Sequence, residues 1–294
     1  MKTIFQRDFE AALPQPRVGC SLQGAQALAM SVRGGRDGWW INWCLDGSLR
    51  DKGFAAELGR RVGKTPFWVP PTRKGGAMNN FSLAIDVPDG ADEQKAALLR
   101  TQVEQRFNSV AESVVLCGVE VAGPGRKHLV GGGAVKSGVA DDIRHWRAAR
   151  IREPHVASPV AALANLFSQL CPDTVLADGT CRIVVAPGES TVISCVMDEW
   201  RLVDGVEFQM LEGQTVEPPL VSEWIDFVRG SHPTLAAEPV PLLLAPDGAV
   251  GSPFPTWNPF ANANVHVDPS ALEPVHRRFG PACVAFGMAL QGGN

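Results

Sequence analysis

Val18-Gly19-Cys20-Ser21-Leu22-Gln23-Gly24-Ala25, continued by Gln26 to Val32, is the stretch on which the fold turns. Largely apolar runs flank the turn signal Gln23-Gly24, so the segment reads as two adjoining strands of a meander. A comparable unit recurs far downstream in Val184-Val185-Ala186-Pro187-Gly188-Glu189-Ser190-Thr191, with strands expected over Cys181 to Ala186 and Ser190 to Met197. Two strand-turn-strand units in two halves of a chain can face each other across a cleft and offer backbone amides to an anion. The length of 294 residues favours two lobes over a single core.

Working outward, a third strand from Gly38 to Leu45 is expected to put Trp39, Ile41 and Trp43 on one face by period two. Asp51 then caps a helix carrying Phe54, Leu58 and Val62. Pro66 to Pro71 is a short extended piece, 72–80 a polar loop, and Phe81 to Val87 another strand. From Pro88 the chain reads as an inserted β-α-β-β-α subdomain. It comprises a helix with Ala96, Leu99, Val103 and Phe107 on one stripe, a strand from Ser113 to Val121, a short strand through His128-Leu129-Val130, and a helix carrying Val135, Val139, Ile143 and Trp146. Ser158-Pro159 caps a helix that returns to the first lobe. The second lobe adds a strand from Trp200 to Val203, a helix with Val221, Trp224, Ile225 and Val228, and a buried strand from Val240 to Ala245. Residues 246–269 read as a surface loop or disordered excursion, and 271–290 as helix with a break near Gly280-Pro281. The divisions are residues 1–87 with 154–172 for the first lobe, 88–153 for the insert and 173–294 for the second lobe.

Composition narrows the chemistry. Hydrophobic content of 45% with 20% charge excludes a disordered chain. The net charge of −4, with no block of one sign, argues against an electrostatic grip on nucleic acid. No apolar run approaches the roughly 20 residues of a membrane span, and the opening residues lack an apolar signal core, so a cytoplasmic address is expected. Seven scattered cysteines without CxxC spacing suggest neither a disulfide framework nor zinc, but small buried hydrophobes in a reducing compartment.

Several motifs invite a catalytic reading. Gly131-Gly132-Gly133-Ala134-Val135-Lys136-Ser137 resembles a phosphate loop but has Val135 where glycine must precede the lysine, and reads instead as a glycine-rich helix start. The six histidines show no ligand spacing, and His266-Val267-Asp268 is a strand end or half of a site. No GxSxG elbow or HExxH helix is present. Trp40 is a candidate to line a peptide groove.

The two hairpins carry a family resemblance. Val18 to Ala25 resembles the first phosphate hairpin of actin-like ATPases, and Val184 to Thr191 the second. The order of elements between them, and the ending Val284-Ala285-Phe286-Gly287-Met288-Ala289-Leu290, are similar to the PilM family of type IV pilus assembly proteins and to the cytoplasmic part of the type II secretion protein GspL. This resemblance implies an α/β, two-lobed actin-like ATPase (ribonuclease H-like) fold with a small inserted α/β subdomain. The second lobe is reduced, because only about 25 residues separate Gly213 from the strand near Val240. It also implies a cytoplasmic adaptor, peripheral at the inner membrane, that captures a cytoplasmic peptide of a membrane-anchored pilus or secretion partner between the first lobe and the insert, with no nucleic acid and no span of its own.

The cleft departs from the family pattern. The metal-holding aspartate of the first hairpin is replaced by Ser21, which cannot balance a divalent cation, and its glycine by Gln23. In the second hairpin the aspartate position is Ala186, while Gly188, Ser190 and Thr191 remain as donors. Of the paired glycines in the adenosine turn, Ala245-Pro246-Asp247-Gly248 retains only Gly248. Together with Gly19, these residues make a degenerate nucleotide cleft without catalytic residues, metal or required cofactor. Two rivals stand beside the scaffold. One is an ATP-binding or ATP-hydrolysing enzyme with Asp46, Asp178 or Asp198 as substitute acid, and the other a structural protein of the same fold without a pilus or secretion role.

Overall fold

The computed structural model describes residues 15–35, 37–70, 80–86, 114–123, 126–152, 154–171, 181–198, 201–210, 218–231, 235, 238–247 and 252–291, with single helical positions at 94, 97 and 101. The first half runs β1 (Arg17–Gln23), β2 (Gln26–Gly35), β3 (Gly38–Ser48), α1 (Lys52–Val62), β4 (Phe67–Val69), β5 (Asn80–Asp86), β6 (Val114–Gly123), β7 (Arg126–Val135), α2 (Lys136–Ala148), β8 (Pro154–Val156) and α3 (Pro159–Leu170). The second runs β9 (Cys181–Ala186), β10 (Thr191–Asp198), β11 (Arg201–Gln209), α4 (Pro218–Ser231), β12 (Val240–Leu244), β13 (Thr256–Trp257), a 3-10 turn at Pro259–Ala261, β14 (Val265–Val267), α5 (Pro269–Arg277) and α6 (Phe279–Leu290).

One topology is built twice. The first sheet is ordered β14-β3-β2-β1-β4-β8 and the second β11-β10-β9-β12-β13. In each, the opening strand has its hairpin partner antiparallel on one side and a later strand parallel on the other: β1 between β2 and β4, β9 between β10 and β12. The two hairpins thus occupy equivalent central positions in separate sheets, as the sequence predicts.

Burial explains the stacking. All twelve residues of α6 and ten of the twelve in α3 are buried, and a helix apolar on every side needs cover on every side. Both lie between the sheets, in one core that joins Leu28, Met30 and Ile41 of the first sheet to Val184, Cys195 and Leu242 of the second. α3, which the sequence reading returns to the first lobe, instead packs chiefly against α6 and β10. On the outer face of the first sheet Val18, Cys20 and Ala29 meet Phe54 and Leu58 of α1 and Trp146 of α2. On the outer face of the second, Cys181, Ile183 and Val185 meet Trp224 and Val228 of α4. Asp51 and Ser158 cap α1 and α3 as expected.

The insert has its own sheet, ordered β5-β7-β6. Strand β5, assigned above to the first lobe, pairs with β7 over Asn80 to Asp86 and belongs to this sheet. The glycine run Gly131 to Gly133 lies within β7, the central strand, rather than starting a helix, so its backbone is committed to ladders on both sides. Most of the expected helix with Ala96, Leu99, Val103 and Phe107, and most of the loop over 72–80, fall outside the described residues.

Three further expectations are corrected. A bulge between Ser31 and Val32 opposite Asn42 breaks the alternation of β3, so Trp39 and Ile41 face the central core while Trp43 faces the outer one. Residues 252–269 are ordered structure: β13 extends the second sheet with Trp257 buried, and β14 crosses back to pair with β3 of the first. The C-terminal helix breaks at Arg278, with Gly280-Pro281 inside the first turn of α6. A proline there removes an N–H that the helix would leave unpaired in any case.

Candidate functional site

The β1–β2 and β9–β10 hairpins meet across the two lobes, and Gln23 is what they meet through. Its Oε1 accepts hydrogen bonds from the Thr191 N–H (2.8 Å), the Ser190 N–H (3.1 Å) and the Ser190 hydroxyl (3.3 Å), while its Nε2 donates to the Thr191 carbonyl (3.2 Å). Gln23 is 4% exposed, so these bonds are made out of water, where an unpaired partner is costly. Gly188 makes room for it: a Cβ there would stand 2.7 Å from the Gln23 carboxamide. The donors that the second hairpin would present to an anion are therefore engaged by a neutral amide of the same chain.

Gly19 is glycine for a reason other than ligand approach. A Cβ at this position would fall 2.0 Å from the Ala285 carbonyl oxygen and 2.4 Å from the Ala289 nitrogen. β1 and α6 touch backbone to backbone there. Ser21, two residues on and facing the same way by strand alternation, is buried, and its hydroxyl has no hydrogen-bond partner among the described residues. It borders a cleft of about 450 Å³ that is lined also by Leu22, Arg50, Pro159, Ser190, Thr191, Glu207 and Gln209.

The remaining sequence candidates disperse. Asp247 is exposed and outside the cleft lining, and Gly248 lies outside the described residues. Asp46, a proposed substitute acid, is paired with Arg278 (2.6 Å) and Arg277 (2.9 Å). Asp198 ends β10 away from the cleft lining, and Asp178 is outside the described residues. His266 is a strand residue stacked on Trp40 at 5.1 Å, Asp268 caps α5, and Arg33 stands 5.9 Å over the ring of Trp40, the candidate groove residue. The Trp40 ring is thus flanked by these two neighbours and half-buried. Among the described residues no group of three or more His, Cys, Asp or Glu could hold a metal ion. Burial pushes the Cys44 thiol up to about 12, with the Asp46 carboxylate adding to the effect, and the Cys181 thiol up to about 11. Burial likewise raises Cys20, Cys195 and Cys283, so none of these is a nucleophile near neutrality.

Sequence reasoning missed a second bridge. The Arg278 side chain, 5% exposed at the start of α6, pairs with Asp46 of β3 and stands 3.5 Å from Glu189 in the turn of the second hairpin. A cation opposes the dipole at a helix N-terminus, and the Asp46 carboxylate offsets this. No local signal reveals the trio, because its members are separated by long stretches of chain.

No family model matches the sequence, and a search of curated proteins finds no match either. Solved structures do match. A PilM-PilN type IV pilus biogenesis complex superposes with a TM-score of 0.61 at 16% identity, covering 93% of this chain and 97% of that one. The cytoplasmic domain of EpsL, an inner membrane component of the type II secretion system of Vibrio cholerae, gives 0.47 at 10% identity over 90% and 94% of the two chains. A Bacteroides thetaiotaomicron protein with an actin-like ATPase fold gives 0.45 at 10% over 82% and 86%. The chain resembles the protein of the PilM-PilN structure and has the two-lobed actin-like ATPase fold.

Proposed function

We propose that this chain is a non-catalytic scaffold of a type IV pilus or type II secretion-like assembly, acting at the cytoplasmic face of the inner membrane. It binds a cytoplasmic peptide of a membrane-anchored partner and works without a bound nucleotide. The observation that carries this reading is the engagement of the Ser190 and Thr191 N–H groups by Gln23. A phosphate would have to displace a buried carboxamide with four hydrogen bonds, and Ser21 supplies no charge to hold its metal ion. The likeness to a structure solved as a PilM-PilN complex supports a partner of the pilus type, and among the described residues no helix is long and apolar enough to cross a membrane. Peptide capture by apolar pockets and exposed backbone needs no acid, base or metal.

The test uses the immobilised full chain incubated with detergent-solubilised inner membranes of the native host, with and without Mg-ATP. Recovery of a pilus or secretion membrane protein, equal in both conditions and accompanied by no ATP turnover, is expected. Mg-dependent turnover abolished by substitution at Thr191 would replace the scaffold with an enzyme.

A further inference from the structure

Gln23 and Arg278 both tie elements of the first sheet to the turn of the second hairpin. Gln23 leaves the end of β1 and binds Ser190 and Thr191, 167 and 168 residues away. Arg278 links Asp46 of β3 to Glu189 of the same turn. Both side chains are buried, and both reach the turn of the second hairpin. The Gln23 carbonyl oxygen takes three donors, which is the coordination an oxyanion would receive at such a turn. Its NH₂ group answers the Thr191 carbonyl, which an anion could not do. Gly188 is shaped to this side chain, since any larger residue would collide with the carboxamide and with the Thr191 carbonyl, 2.5 Å from its would-be Cβ.

We propose that the protein carries its own closing ligand: the Gln23 carboxamide occupies the anion cradle of the second hairpin and latches the two lobes shut without any small molecule. This latch concerns the conformation of the chain alone and stands whether or not a membrane partner is captured. Closure then needs no exchangeable ligand, and the cleft does not cycle. The Ser190 and Thr191 amides are the direct reporters. Ser190 lies in the turn ahead of β10, and both N–H groups point to Gln23.

Amide exchange on the full chain, followed by two-dimensional NMR, reads the latch, and small-angle scattering reads closure. In the wild type both amides should be protected although one sits in the turn and the other at the first residue of β10, and millimolar inorganic phosphate should not slow them further. In Gln23→Leu, which keeps the approximate volume but none of the hydrogen bonds, both should exchange at least tenfold faster while the β10 ladder amides keep their protection, and the radius of gyration should rise. Gln23→Glu retains an acceptor for both N–H groups and should keep most of the protection, which preserves the test if the leucine variant does not fold. Unprotected amides in the wild type, further slowing by phosphate, wild-type protection in Gln23→Leu, or loss of protection with an unchanged radius would each overturn the latch.

Discussion

Replacing Gly19 by alanine separates two reasons for a glycine in the first hairpin. The added methyl carbon would sit 2.0 Å from the Ala285 carbonyl oxygen, 2.4 Å from the Ala289 nitrogen and 2.8 Å from the Met288 Cβ, where ordinary contact begins at 3.4 Å. Relief requires α6 to retreat by more than 1 Å, since two of the three obstacles are backbone. That retreat is blocked on its far side, where a Cβ at Gly287 would already stand 2.1 Å from the Ala162 carbonyl oxygen of α3. Overpacking a core commonly costs 1–3 kcal/mol, and a backbone clash with no free side puts Gly19→Ala at about 3 kcal/mol or more. At roughly 2 °C per kcal/mol for a chain of this size, the melting temperature should fall by about 6 °C. Urea unfolding followed by tryptophan fluorescence measures the loss directly. Gly24→Ala is the control: φ is +62° there and a Cβ would meet nothing within 4 Å, so only about 1–2 kcal/mol of left-handed strain is incurred. A Gly19→Ala protein as stable as the wild type would refute the packing argument and return Gly19 to a ligand role.

Two other outcomes follow from burial. Cys20, Cys44, Cys181, Cys195 and Cys283 are buried free thiols, and with Cys44 near 12 and Cys181 near 11 the thiolate stays scarce even at pH 9; mass-spectrometric mapping should find these five unmodified by iodoacetamide at that pH in the native chain and alkylated in guanidinium chloride. Trp257 is 6% exposed and packs edge-on against Phe167 at 5.8 Å, so Trp257→Ala should cost about 3–5 kcal/mol by chemical denaturation, whereas a residue in a surface excursion would cost almost nothing.

What could be read from the chain alone was whatever is encoded within a few residues. Gln23-Gly24 and Pro187-Gly188 announce their hairpins, Asp51 and Ser158-Pro159 their helix starts, and the apolar run of α6 its burial. The errors concern partners far away in sequence. β14 is three residues set among prolines and asparagines, and becomes a strand only because Val265 to Val267 find Trp39 to Ile41 more than 220 positions earlier. The side of the sheet taken by Trp43 depends on a bulge set by the register against β2, not on its own alternation. At the cleft, the replacement of glycine by Gln23 was visible as a departure from a pattern, but its meaning lay in bonds to Ser190 and Thr191. Gly19 fitted the pattern while serving a helix at the other end of the chain.

The return of β14, α5 and α6 to the first sheet has a consequence for biosynthesis. The face of β1 that holds Gly19 and Ser21 receives its cover from residues 279–290, which leave the ribosome long after β1 itself. Until then the nascent first lobe exposes an apolar sheet face and lacks its edge strand, a state prone to wrong association. Folding of the first lobe is thereby held back until residues 265–290 have been translated, and a chain stopped short of about residue 265 should be a client of chaperones and proteases rather than a folded half.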